Sequence, residues 1–205
     1  MPRRNREYKK GAPHRDARLF VIVAEGERED AYFQWFHEKN QRIKVHIVAR
    51  EQNRSAPTFF LERATQYLEQ IDLKAVKGDS LWFVVDVDRW ERSAIDDLQR
   101  ACEQEPGWHL AVSNPCFEVW ILYHQMKEIK DTGQACQDLK QQVHLQFKGG
   151  FSVETVCPQI ATAVDHAKAR DSGPDAYFPD RMQTKVYLLG AKILSLLGKN
   201  WQEIR

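Results

Sequence analysis

Short apolar, β-branched runs alternate along this chain with longer segments whose apolar positions recur every three to four residues. The runs are RLFVIVA (residues 18–24), RIKVHIVA (42–49), LWFVVDVD (81–88) and WHLAVS (108–113). Each has the length and composition of a buried strand. Between them the spacing predicts a helix from Asp30 to about Lys39. A second opens at Ser55-Ala56-Pro57 and runs to about Lys77, with Phe60, Ala64, Leu68 and Ile71 on one face. A third covers 91–105 and is broken by Pro106-Gly107, and a fourth opens at Asn114-Pro115 and continues to about Ile129. Strand–helix alternation of this kind predicts an α/β core over residues 18–129: a Rossmann-like, mostly parallel sheet of about four strands with helices on both faces. From Lys130 the pattern turns helical and polar, with helices over 131–142, 153–170 (interrupted at Pro158) and 183–197, so 130–205 reads as a helical extension packed on the core. Residues 1–17, with Arg3, Arg4, Arg6, Lys9, Lys10 and Arg15, read as a flexible basic arm.

The chemistry concentrates where the apolar runs stop. The 81–88 run ends in Asp86 and Asp88, two apart and therefore on one face of an extended chain. Two carboxylates at the end of a buried strand repel each other and resist desolvation, and a divalent cation makes the arrangement favourable. Glu25 closes the first run in the same way, so a parallel sheet brings all three acids to the carboxyl edge of its strands, where α/β ligand sites lie. Mg²⁺ or Mn²⁺ held by carboxylates and water suits this set. Glu25 is either a further ligand or a general acid/base. Read more plainly, the three are ordinary strand-end acids. Glu118, in the apolar stretch CFEVWILY, needs a partner if it is buried; a metal or a basic side chain would serve, and so would the dipole of the helix it opens. Asn53, Arg54, Arg89, Arg92, Lys148 and Lys185 are candidate partners for a phosphate; Arg89, beside the Asp pair, and Lys148, in a glycine loop, lead them.

Composition narrows the classes. With 42% hydrophobic residues and a net charge of +1, the chain can build a core but is not globally basic, so nucleic-acid contacts must come from local patches. Cys102, Cys116, Cys136 and Cys157 form no zinc spacing and suit a reduced, cytoplasmic protein. No apolar run is long enough to span a bilayer, and the basic N-terminus lacks the apolar segment of a secretory signal. The histidines show no HxxxH or HExxH spacing, His124 reads as packed, and no nucleotide-binding or nucleophile-elbow motif is present.

The chain resembles the RloB-like family. The resemblance rests on the apolar strand leading into Glu25-Gly26-Glu27 with Tyr32-Phe33 behind it, on FVVDVD (83–88), on SNPCFEVWILYH (113–124) and on TKVYLL (184–189). It implies a fold related to the Toprim domain, in which a Glu after the first strand and an Asp-x-Asp after the third serve magnesium-dependent phosphodiester chemistry. Those roles map onto Glu25, Asp86 and Asp88, with Glu27 and Glu118 as further metal-site acids. From the candidate cations, and not from the resemblance, Lys148 is added to the catalytic set and Arg54 and Arg89 are taken as nucleic-acid contacts. The resemblance also implies a toxic nuclease effector in phage defence, by abortive infection, acting on DNA or RNA beside a separate ATPase partner; a homo-oligomer is compatible with it. A non-catalytic metal- or partner-binding subunit of a defence complex is the alternative.

Overall fold

A computed structural model describes residues 17–50, 58–88, 90–198 and 201. Residues 1–16 of the basic arm, Asn53, Arg54, the helix start at Ser55-Ala56-Pro57 and Arg89 lie outside the described residues. The order of elements is β1 (Arg18–Ala24), α1 (Glu27–Gln34), β2 (Ile43–Ile47), α2 (Thr58–Leu68), β3 (Ser80–Asp86), α3 (Arg92–Gln104), β4 (Trp108–Asn114), α4 (Glu118–Tyr123), α5 (Cys136–Gln146), α6 (Val153–Val156), α7 (Ile160–Arg170), β5 (Gln183–Thr184) and α8 (Val186–Leu197).

The five strands form one sheet in the order β2-β1-β3-β4-β5, parallel except for β5. β1 and β3 are buried along nearly their whole length because helices cover both faces, which is why they read as continuous apolar runs. Alternate side chains separate into two cores. Phe20, Ile22, Ala24, Trp82 and Val84 meet α1, α4, α5, α7 and α8. Val21, Val23, Leu81, Phe83 and Val85 meet α2 and α3. The chain steps from β1 to β2 over α1 on one face, then back across to β3 over α2 on the other, as right-handed crossovers in opposite directions require. This reversal leaves a crevice between the carboxyl ends of β1 and β3.

Carboxylates fasten this strand pair at both ends. At the amino edge Asp79 accepts the Leu19 N–H (2.8 Å) and the Lys74 N–H (3.2 Å). At the carboxyl edge Glu25 Oε1 accepts the Asp86 N–H at 2.8 Å, beyond the last paired residues Ala24 and Val84. Buried Arg63 of α2 donates to Val48 O (2.8 Å), Ala49 O (3.2 Å) and Ala24 O (3.4 Å), tying the ends of β1 and β2 together.

Several predicted boundaries move. The helix expected to reach Lys77 stops at Leu68, and the chain returns to the sheet through the turn that Asp79 holds at Lys74. The helix expected to reach Ile129 stops at Tyr123, where the His124 ring bonds back to the carbonyls of Trp120 (3.1 Å) and Ile121 (3.2 Å). The helix predicted over 131–142 starts at Cys136, because Asp138 accepts the Ala135 N–H at 2.9 Å and caps the turn there. The first residues of the last predicted helix form β5 instead, a two-residue antiparallel edge beside Ser113 and Asn114.

Lys185, a candidate phosphate contact on sequence, is buried directly after β5. Its Nζ bonds Asp171 Oδ1 (2.7 Å) and Gly173 O (2.7 Å), while the Tyr187 hydroxyl donates to Asp171 at 2.7 Å. It anchors the loop before β5 and has no part in an anion site. Lys185→Met leaves the Asp171 charge buried and unpaired, so it should destabilise the protein by about 3–5 kcal/mol in urea unfolding. A loss below ~1 kcal/mol would show that the pair does not hold the extension.

Candidate functional site

Strand alternation sends the Asp86 side chain to the face of Trp82 and Val84, toward α1 and α4. It enters a cavity of about 500 Å³ lined by Glu25, Glu27, Glu29, Asp86, Asp88 and Glu118, with Arg28, Lys140, Cys116, Cys136 and Phe151 completing the wall. The acids come from three places. Glu25 directly follows β1 and Asp86 ends β3, while Glu29 and Glu118 lie in the first turns of α1 and α4. Buried α4 presents Glu118 because a tight turn from β4, through a cis Asn114–Pro115 bond, is pinned under β3: Pro115 O accepts the N–H groups of Val87 (2.9 Å) and Asp88 (3.1 Å).

The electrostatics follow from burial. Asp86 is half-buried as a residue, yet its Oδ1 is sealed from solvent and accepts no hydrogen bond. Burial, then the charges of Glu29, Glu25 and Glu118, hold its pKa well above the usual carboxylate range, with slight relief from the Phe117 backbone. Burial also raises Glu25 to about 7, and Glu29 and Asp88 add to the rise. The Asp86 N–H opposes it; so does the nearby indole of Trp90, whose buried N–H forms no hydrogen bond in this structure. Glu29, only 6% exposed, is raised to about 7 by burial and by the charges of Glu118 and Asp30, against its own backbone N–H and Arg28. Glu118 is buried and ion-paired with Arg28, so of the partners its sequence context left open a basic side chain is the one in contact.

Sequence and structure differ at several positions. Glu29 was not foreseen. It folds back over Gly26 so closely that a Cβ there would stand 2.5 Å from its Oε2. A carboxylate three residues after a helix N-cap is the signal that could have found it. Glu27, expected among the metal acids, is exposed at the cavity rim. Asp88 also lines the rim and is exposed: β3 ends at Asp86, so the two-residue period of a strand does not carry through to Asp88. Lys148 is exposed and does not line the cavity; Lys140 of α5 does. Arg92 is engaged by Asp96 (2.9 Å) and Tyr177 (3.0 Å) and lies 3.7 Å from the Phe178 ring centre. His124 is fully buried, bonded to the Tyr32 hydroxyl at 3.0 Å, and lowered to about 3 by burial, so it is a packed residue.

The donors are hard carboxylate oxygens, one of which, Asp86 Oδ1, is buried and unsatisfied, and that chemistry fits Mg²⁺ or Mn²⁺. Among the described residues, no three His, Cys, Asp or Glu side chains are gathered as they stand around a point where a metal ion could sit. Two of these acids have partners of their own: a Glu25 oxygen accepts the Asp86 N–H, and Glu118 is paired with Arg28.

A family model described as RloB-like protein matches residues 20–193. No curated protein and no solved structure matches the chain. Among the described residues no helix is long and apolar enough to cross a membrane.

Raised carboxylate pKa values give the site a definite pH signature. Glu25 and Glu29 titrate near 7 when folded against about 4.5 when unfolded. Their stabilising contribution is therefore complete below pH ~4.5 and lost as pH rises through 7. Between pH 5 and 8 the metal-free wild type should lose more stability than Glu29→Gln. At pH 8 Asp86→Asn should unfold at a higher temperature than wild type. Thermal unfolding under excess chelator measures both effects; identical pH slopes for wild type and Glu29→Gln would contradict them.

Proposed function

The chain belongs to the RloB-like protein family, and from that premise we propose that it is a metal-dependent nuclease that cleaves phosphodiester bonds. The observation that supports this most is the sealed, unbonded Asp86 Oδ1 among Glu25, Glu29 and Glu118 at the β1/β3 crevice. Such a group is unfavourable in a purely structural role and favourable as a ligand to a hard cation. Asp86 would hold Mg²⁺ or Mn²⁺ together with Glu118 and Glu29, while Asp88 at the rim would hold it directly or through water. When bound, the cation supplies positive charge beside the scissile phosphate and makes water a better nucleophile.

The residues of the chain do the rest. Glu25, with a pKa of about 7, exchanges a proton readily at neutral pH, which suits it to accept one from the attacking water or to return one to the leaving oxygen. Its bond to the Asp86 N–H fixes the carboxylate relative to the ligand beside it. Arg28 and Lys140 are the cations lining the cavity among the described residues, and they would receive the phosphate. A Toprim-like domain, which the family resemblance implies, would use its Glu and Asp-x-Asp in the same division of roles. A role as a toxic effector in phage defence, beside a separate ATPase, is the wider setting we propose for the activity.

A second reading keeps the metal without the reaction: a metal-binding or partner-binding subunit of a defence complex. It is favoured by the small number of cations at the cavity and by carboxylates that are not gathered around a metal position as they stand.

Cleavage assays on DNA and on RNA, including tRNA, with Mg²⁺ or Mn²⁺ decide between the two. Asp86→Asn and Glu25→Gln should each lower cleavage by at least about 100-fold while thermal unfolding shows a folded protein. Excess EDTA should abolish cleavage by the wild type. Wild-type rates in either variant, or activity that survives EDTA, would refute the nuclease assignment.

A further inference from the structure

Arg28 stands in an unusual position for a cation. It lies in the first turn of α1, the positive end of a helix, where a basic side chain gains nothing from the helix dipole. Its guanidinium pairs with Glu118, whose side chain is 5% exposed, while Arg28 itself is 33% exposed and lines the cavity. The guanidinium carbon lies over the Phe151 ring, 5.3 Å from its centre. One partner of the pair is thus fixed in a buried helix, and the other sits on a long side chain that reaches solvent.

We propose that Arg28 is a displaceable counterion. It neutralises Glu118 while no metal is bound, yields Glu118 to the divalent cation, and then offers its N–H edge to a phosphodiester oxygen while still resting on Phe151. The inference rests on the metal-dependent reading above and assigns Arg28 the recognition of the substrate phosphate. The chemistry of the pair supports it. A guanidinium fork matches carboxylate and phosphate oxygens equally well, so a single side chain can serve both. A dication and Arg28 cannot both sit against Glu118 without repulsion, whereas an arriving phosphate adds the negative charge that draws Arg28 back to the site. The pairing also accounts for carboxylates that are not gathered around a metal position as they stand: one of them is held by its substitute cation.

Calorimetric titration of Mn²⁺ into the full chain tests the first half, using wild type, Arg28→Gln, Glu118→Gln and the double variant. Arg28→Gln should bind Mn²⁺ about tenfold more tightly than wild type, and that gain should vanish in the Glu118→Gln background. Fluorescence anisotropy with a labelled oligonucleotide, in Ca²⁺ to hold it uncleaved, tests the second half. Arg28→Gln should bind it about tenfold more weakly than wild type with the cation present, and equally without it. Should Arg28→Gln fail to fold, Arg28→Lys keeps the charge but loses the fork, and about threefold changes in the same directions are expected. Unchanged or weaker Mn²⁺ affinity in Arg28→Gln, or a gain that persists without Glu118, would overturn the proposal while leaving the metal site standing. No Mn²⁺ binding by any of the four proteins would remove the metal-dependent reading itself.

Discussion

Like charges buried at the end of a strand are unfavourable, and the carboxyl edge of this sheet is arranged around that single fact. Asp86 Oδ1 is sealed from water without a hydrogen-bond partner, and Glu25, Glu29 and Glu118 all raise the pKa of the same carboxyl. The protein lives with this by holding protons where most carboxylates have lost them, and by setting one guanidinium against Glu118. Both devices are provisional: a proton and a long, partly exposed side chain are what a divalent cation can most easily replace.

The fold fixes the cluster through ordinary means. Opposite crossovers from β1 and toward β3 open a crevice at the strand ends, and Glu25 bridges it by accepting the Asp86 N–H. Arg63 holds the ends of β1 and β2 from below with three carbonyl contacts. Gly26 leaves room for the Glu29 carboxylate to turn back into the site. The helical extension shares the core with α1 and α4 through residues such as Leu139, Ile160 and Leu189, so the wall carrying Lys140 and Phe151 is held against the sheet by apolar packing.

The strands and the acids that end them were legible because burial on both faces writes an unbroken apolar run that stops abruptly at Glu25 and at Asp86. What failed to show was anything decided by a local cap or a turn. Asp88 lies past the strand end, so the two-residue period that paired it with Asp86 does not apply to it. Glu27 and Glu29 sit in one acidic turn, and only the fold-back over Gly26 makes the second a buried residue and leaves the first at the rim. Lys148 and Lys140 differ by the face of α5 and the loop after it, which spacing alone does not orient. β5 has two residues, too few for any periodic signal.

The most direct measurement is anomalous scattering from crystals of the full chain grown with Mn²⁺ near pH 8. The account expects a peak within bonding distance of Asp86 and at least one of Glu29 and Glu118, with Arg28 moved off Glu118. An empty crevice, with Asp86 protonated and hydrogen-bonded to a neighbouring group of the protein, would contradict it.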